Sequence, residues 1–237
     1  MILKLSSLDQ FFSLRTYLLG TYIVVLLVGF VYFTIKSKQA ENPATRRIKL
    51  GYGLFGLTYA LTRLFFLLSD YEIASRGGVV TQLHLAWVTA AYCVTFVSLL
   101  VIYTTVERLI LHRKPILSLI AAIAFIICLA SFVLTLLGVG LDVANDTGPH
   151  QIAKYTLYAT GPILALGIAV LYIVIVRNST GALRAKAVLS LVGLLLLFAG
   201  LILDMDILAS AAFDPIRFVI SPLLFIVGTI LFFQAQK

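Results

Sequence analysis

The sequence predicts an all-α polytopic membrane protein, a bundle of seven transmembrane helices. Three observations carry that prediction. The chain is 61% hydrophobic and only 12% charged, with a mean hydropathy of +1.07. Soluble domains carry roughly 45–50% apolar residues and about a quarter charged ones. The apolar residues also fall into seven long runs, each near the ~20 residues a helix needs to cross about 30 Å of hydrocarbon. Lastly, the cations gather in alternate links between those runs, as topology-setting charges do.

The runs lie at about 16–36, 49–70, 79–106, 115–138, 152–176, 184–204 and 213–234. Backbone groups cannot stay unpaired in lipid, so each run is expected to be helical, and none alternates as a barrel strand does. Residues 1–15 precede them. Leu5, Leu8 and Phe12 recur there at helical spacing, which suggests a short amphipathic helix in the interface. A simple extension of the first span fits equally well. The remaining 16–237 form one domain, with no link long enough to hold a soluble one. Pro115 suits the first turn of the fourth helix.

Charge sets the expected orientation. The first link carries Lys36, Lys38, Arg46, Arg47 and Lys49, the third Arg108, Arg113 and Lys114, the fifth Arg177, Arg184 and Lys186. The even links are acidic on balance, with Asp70, Glu72, Asp142, Asp146, Asp204, Asp206 and Asp214. Cations favour the cytoplasmic side. The odd links and the C-terminus are therefore expected inside the cell membrane and the N-terminus outside. The formal net charge of +8 is accounted for by these links, so it implies a bilayer partner and no nucleic acid. Cys93 and Cys128 both fall mid-span, as packing groups rather than a disulfide framework.

The chemistry-bearing residues start in the second span. Tyr52, Gly56, Tyr59, Arg63 and Asp70 are spaced to share one helical face, opposite leucines, phenylalanines and alanines. A charge within a span is costly and usually faces a partner or a cavity, so Arg63 is expected to point into the bundle. Snorkelling to Asp70 or lipid phosphate is the competing arrangement. The third span repeats the pattern with His84, Trp87, Ala91, Thr95 and Ser98 on one stripe, and it is the most polar span, expected near the bundle centre. A hydrogen-bonded His84 fits better than a metal ligand, since His112 and His150 lie in loops on opposite sides. Tyr158, Asp204 and Arg217 stand near the same outer end. With Arg63, Tyr59, His84 and Trp87 they are the candidate lining of an outward polar vestibule for a small-molecule or lipid ligand. Independent interfacial anchoring is the plainer alternative. At the inner end, Glu107 and Arg108 close the third span and are candidates for coupling to a cytoplasmic or membrane protein partner; Glu107 could also cap or lock the neighbouring cationic links, and an ordinary solvated helix end is the plainer and favoured arrangement.

Gly51 to Gly56 matches GxGxxG, but no strand precedes it, and close helix contact explains small residues in a span. No metal-spaced cluster, no catalytic motif and no cofactor site is legible. The seventh span lacks the internal lysine of a retinal protein. Glu107-Arg108 and Ser221-Pro222-Leu223-Leu224-Phe225 only loosely echo G-protein-coupled receptor positions. Residues 46–71 carry a cationic lead, a glycine-rich start, an in-span arginine and a terminal Ser69-Asp70-Tyr71, and Glu107-Arg108 follows at the end of the third span. In these features the chain resembles uncharacterised seven-helix proteins of archaeal genomes, a resemblance that implies no known activity. The expected function is therefore receptor-like or sensory. An accessory subunit of a larger membrane complex is the alternative, and a transporter or lipid-modifying membrane enzyme the third reading. The acids sit at helix ends rather than mid-span, which ranks that third reading last.

The topology has a direct consequence. The sequon Asn178-Ser179-Thr180 lies in the fifth, cytoplasmic link, so mass spectrometry of the purified protein should find Asn178 unmodified; a glycan there would invert the orientation.

Overall fold

The computed structural model describes residues 14–204 and 214–237, the side chains of 214–217 excepted. Seven helices span the described residues: α1 Leu14–Lys38, α2 Pro43–Ser75, α3 Gln82–Thr104, α4 Ile116–Leu137, α5 Pro149–Asn178, α6 Gly181–Asp204 and α7 Asp214–Ala235. All seven are long and apolar enough to cross a membrane. The predicted interfacial helix at 1–15 lies almost wholly outside the described residues; Arg15, assigned to it, belongs to the first turn of α1.

The helix ends follow local chemistry. Asn42 caps α2 by accepting from the Ala44 N–H at 2.8 Å, with Pro43 at the first helical position. Thr81 caps α3 by accepting from the His84 N–H at 3.1 Å. Gly138, at φ 69°, ends α4 in the left-handed conformation. The fourth helix begins at Ile116, with Pro115 just outside it. The third helix passes into a π-helical turn, Thr105–Ile110, which shifts the register of Glu107 relative to a straight α-helix.

Each helix packs on its sequence neighbour, and α7 returns to α1, closing a ring. α3 also reaches α5 across that ring and is the most buried helix, which accounts for its polar stripe. α2 has 33 residues, about 50 Å at 1.5 Å per residue, so its charged ends project past the hydrocarbon. Apolar side chains such as Val24 and Val28 of α1, Ile123 and Ile126 of α4 and Leu166 of α5 are exposed on the outside, the surface a bilayer covers. The bundle therefore has two ends. The links α1–α2, α3–α4 and α5–α6 lie at the cationic end; α2–α3 and α4–α5, with the end of α6 and the start of α7, lie at the acidic end.

Lipid offers no hydrophobic drive between helices, so close contact depends on small residues. The tightest approach of one helix backbone to another is Gly193 of α6 against Gly228 of α7. A Cβ on Gly193 would stand 2.7 Å from the Gly228 carbonyl oxygen and 2.7 Å from the Phe232 nitrogen. Backbone cannot yield as a side chain does. Gly193→Leu is therefore expected to pry α6 from α7 and cost at least about 1–3 kcal/mol, seen as a lower thermal midpoint in detergent. Gly20→Ala, with nothing within 4 Å, should not lower that midpoint, since alanine suits a helix better than glycine.

Candidate functional site

A cavity of about 400 Å³ opens among α1, α2, α3, α5 and α6 toward the acidic end, within the ~300–1,000 Å³ usual for ligand sites. Its making starts with Arg63. The side chain is 4% exposed and points into the bundle. One terminal nitrogen donates to Asp204 Oδ2 at 3.0 Å and the other to Tyr59 Oη at 3.0 Å. The guanidinium plane lies 3.9 Å from the Phe225 ring centre, with the Tyr59 and Tyr22 rings at 5.3 and 5.9 Å. A planar, weakly hydrated cation suits such a ring-lined berth. Burying it alone would cost far more than the rings return; the carboxylate makes the burial tolerable.

Asp204 closes α6 and takes a second cation. Arg15 donates to its Oδ1 at 3.3 Å and reaches Asp70 Oδ2 at 3.5 Å. Asp70, Arg15, Asp204 and Arg63 thus form a ladder of alternating sign across α1, α2 and α6. The ladder is charge-balanced, yet the Nε atoms of both arginines lack a hydrogen-bond partner among the described residues.

The opposite wall is α5. His150, only 5% exposed, sets Nε2 3.0 Å from Asp146 Oδ1. Gln151 donates to the Asp146 carbonyl, and a short bridge pairs Asp142 with Thr147. Within that turn, hydrogen bonds from the Asn145 side chain, then its N–H, then the Ala144 N–H hold the Asp142 carboxyl below its usual range. The turn is thereby kept intact at neutral pH, and its support is lost only as acid protonates that carboxylate. One turn deeper on α5, Lys154 lies over the Tyr158 ring at 5.8 Å. On α3, His84 Nδ1 lies 2.8 Å from Ser69 Oγ and 3.1 Å from the Ser69 carbonyl oxygen, tying α3 to α2 at the rim.

Of the residues expected to converge, Arg63, Tyr59, His84, Tyr158 and Asp204 all line this cavity. Trp87 does not; it stacks on Phe65 at 5.6 Å. Arg217, with Asp206 and Asp214, lies outside the described side chains. Arg15, Asp146 and His150 line it too, though the sequence reading left them at an interface or in loops, and so does Lys154. Below the floor, a narrower slot of about 60 Å³ continues between α2, α3, α5 and α6, sharing Tyr59, Thr95, Leu157 and Leu201 with the cavity and otherwise lined mainly by apolar groups. No group of three or more metal-ligating side chains occurs among the described residues.

At the cationic end, Glu107 is 3% exposed, and its carboxylate accepts from the N–H groups of Leu117 and Ser118 at 2.9 Å each and from Ser118 Oγ at 2.7 Å. It supplies from α3's π-helical turn the N-terminal cap that Pro115 cannot give α4. Arg108 beside it is exposed. No protein-family model, curated protein or solved structure matches the chain.

Glu107→Ala strands two α4 N–H groups, so a loss of about 1–3 kcal/mol is expected. Glu107→Gln, which keeps an acceptor, should lose less. Thermal melts of the two variants against the parent check this order.

Proposed function

We propose that the protein is a receptor-like or sensory integral membrane protein that takes a small or amphiphilic ligand in the cavity at its acidic end and signals through a separate partner. One observation carries the reading: charged side chains from α1, α2, α5 and α6 converge on a ligand-sized cavity in an otherwise apolar bundle. Buried or half-buried charge of this kind is costly, and in membrane proteins it marks ligand sites and ion paths more often than scaffolding. The distribution of cations among the links supports an outward-facing cavity and a cytoplasmic cationic end.

The proposed response is a re-pairing. The ladder ties α1, α2 and α6 through four groups. A ligand bearing its own charges competes for Arg15 and Asp70 and lets those helices shift. Such a ligand works only by preferring one arrangement over the other. The Phe225 and Tyr22 rings under Arg63 stack on each other at 5.3 Å, and Tyr22 Oη accepts from Thr229 of α7 at 3.2 Å. A displaced guanidinium would therefore disturb α7, which runs toward the cationic end. The partner would be met there, among the exposed cations of the odd links. An accessory subunit, by contrast, would copurify with its complex at fixed stoichiometry and would need no ligand.

The test is a thermal-shift screen of small polar and amphiphilic compounds on the purified protein. A ligand at a hundred times its Kd stabilises by about 2.7 kcal/mol. Compounds that raise the parent's midpoint should fail to raise that of Lys154→Ala or Asp70→Asn, each variant being compared with its own ligand-free midpoint. Equal shifts in parent and variants, or no shift from any compound, would end this reading.

A further inference from the structure

The slot beneath the polar cavity has a chemistry of its own. Its walls are apolar, with Phe55 of α2, Leu99 and Ile102 of α3, Ile168 of α5, and Leu194 and Leu197 of α6. No charged side chain lines it among the described residues. Four hydroxyls border it, and each is engaged. Thr95 donates to the Ala91 carbonyl at 2.8 Å, Ser98 to the Val94 carbonyl at 2.9 Å, and Tyr103 to the Leu164 carbonyl. Tyr59 Oη accepts from Arg63 at 3.0 Å. A polar guest would lose its water here and find the protons of Thr95, Ser98 and Tyr103 already taken. Cavities with such walls stay dry and take apolar guests.

Size decides which apolar guest. The slot holds about 60 Å³. An engineered cavity that takes benzene has about 150 Å³, so a ring is too large for the slot. At roughly 15 Å³ for each water-sized group, there is room for about four of them. The lining runs from Thr95 to Tyr103 on α3 and from Leu201 to Leu194 on α6, about two turns or ~11 Å of each helix. The space is therefore elongated along the bundle axis, and a few small groups in a row are the end of an aliphatic chain. The α5 wall leaves the room, because Gly161 and Ala165 stand there one turn apart. A Cβ on Gly161 would meet only Leu157 Cδ1 of its own helix, at 3.7 Å. At its upper end the slot joins the polar cavity, where Tyr59, Thr95, Leu157 and Leu201 border both spaces.

Resting on the cavity as the ligand site, we infer that the slot is a subsite for an unbranched aliphatic chain. The ligand is then an amphiphile whose head stays in the polar cavity above Tyr59, while about four carbons of its chain descend between α3, α5 and α6. Volume refuses a branched or ring-bearing tail. A tail that ends in a hydroxyl is refused because the walls offer it no exchange for water. A free single-chain molecule and a straight-chain bilayer lipid share this chemistry.

The experiment is photolabelling in nanodiscs of diphytanoyl phosphatidylcholine, whose methyl-branched chains the slot excludes. The probe is octanol with a diazirine at its penultimate carbon, and mass spectrometry locates the adducts. Adducts are expected on slot residues such as Ile168 and Leu197, and also on the outward Ile123 and Ile126. Excess plain octanol should cut the slot adducts at least about tenfold and leave the outward ones unchanged. Octanediol with a hydroxyl at each end, and the bulky-ring alcohol adamantanemethanol, should protect the slot at least about tenfold less well. Gly161→Leu should remove the slot adducts, with the outward adducts and circular dichroism as in the parent. Ala165→Leu, one turn on, is the second plug should the first variant fold poorly. Repeating the labelling in dimyristoyl phosphatidylcholine separates the two sources. Slot adducts kept there identify a free single-chain guest; slot adducts lost there identify a bilayer chain as the occupant. No protectable adduct in the slot in the branched bilayer, equal protection by octanediol or adamantanemethanol, or adducts that survive both plugs would overturn the inference. If the thermal-shift screen still finds stabilising compounds, the receptor reading then stands without it. If that screen is silent as well, both fall.

Discussion

A guanidinium held inside a membrane bundle dictates what its neighbours must be. Arg63 is 4% exposed, and the cost of taking such a charge out of water is several kcal/mol even after relaxation. It is met by one carboxylate from α6, one phenol from its own helix and a stack of rings from α1, α2 and α7. Each is needed for a different reason. Asp204 supplies the opposite charge. Tyr59, one turn before Arg63, supplies an acceptor that travels with the same helix. Phe225 and Tyr22 offer the ring faces that a planar cation accepts in place of water. Arg15 then neutralises the excess on Asp204 and passes the pairing outward to Asp70. The relative placement of α1, α2, α6 and α7 at the acidic end follows from satisfying one charge.

The rest of the bundle is closed on one side and open on the other. Toward α7 the helices approach through glycines. Gly56 lies against the Leu26 backbone, where a Cβ would come within 3.0 Å of the carbonyl oxygen, and Gly193 faces Gly228. Phe232 packs edge-on to Tyr52 and Phe55, filling the space between these backbones. Toward α5 no glycine meets the backbone of another helix so closely: Gly167 meets only the Leu117 side chain of α4. Pro162 lies within that helix, and a Cβ on Gly161 would find only Leu157 Cδ1, at 3.7 Å. Helices pinned together along one side diverge along the other, and the polar cavity and its apolar continuation lie in that divergence. At the far end, Glu107 fixes α4 to the π-helical turn of α3, so the opening is confined to the acidic half.

The seven crossings were legible because each is a run of apolar residues, a property of one segment read by itself. The inward aim of Arg63 was legible for the same reason, since Tyr52, Tyr59 and Arg63 share one face of one helix. What a single-helix pattern cannot say is which helix stands opposite. Trp87 shares the His84 stripe, yet a stripe covers a broad arc of the helix surface, and its edge meets Phe65 instead of the cavity. His150 read as a loop residue because it follows Gly148-Pro149, but that pair opens α5 and places the ring in its first turn. Arg15 looked like an interfacial charge, and nothing nearby in the chain points to Asp204, 189 residues away. Glu107 read as a solvated helix end because its partners lie beyond Pro115 and depend on a register shift that composition does not reveal.

Magnitude bounds what any ligand of this cavity can do to the bundle. To carry a two-state bundle from about 1:99 to 99:1, a ligand must prefer the second state by about 5.5 kcal/mol. Re-pairing within the ladder cannot supply that alone, because every new contact to Arg15 or Asp70 replaces one already made. The net gain is the difference between two ion pairs in similar surroundings, which is small even where each pair is strong. Burying an apolar group is different, since the slot is lined mainly by apolar side chains and offers no ion pair to exchange. At ~0.8 kcal/mol per methylene, three or four of them would add about 3 kcal/mol, roughly half of what the full shift requires, provided that the slot widens to admit them in only one of the two states. On the proposed receptor reading, the polar groups would select the ligand and the apolar slot would favour one arrangement of the helices. That division of labour requires the two spaces to be continuous, and Tyr59, Thr95, Leu157 and Leu201 are where they join.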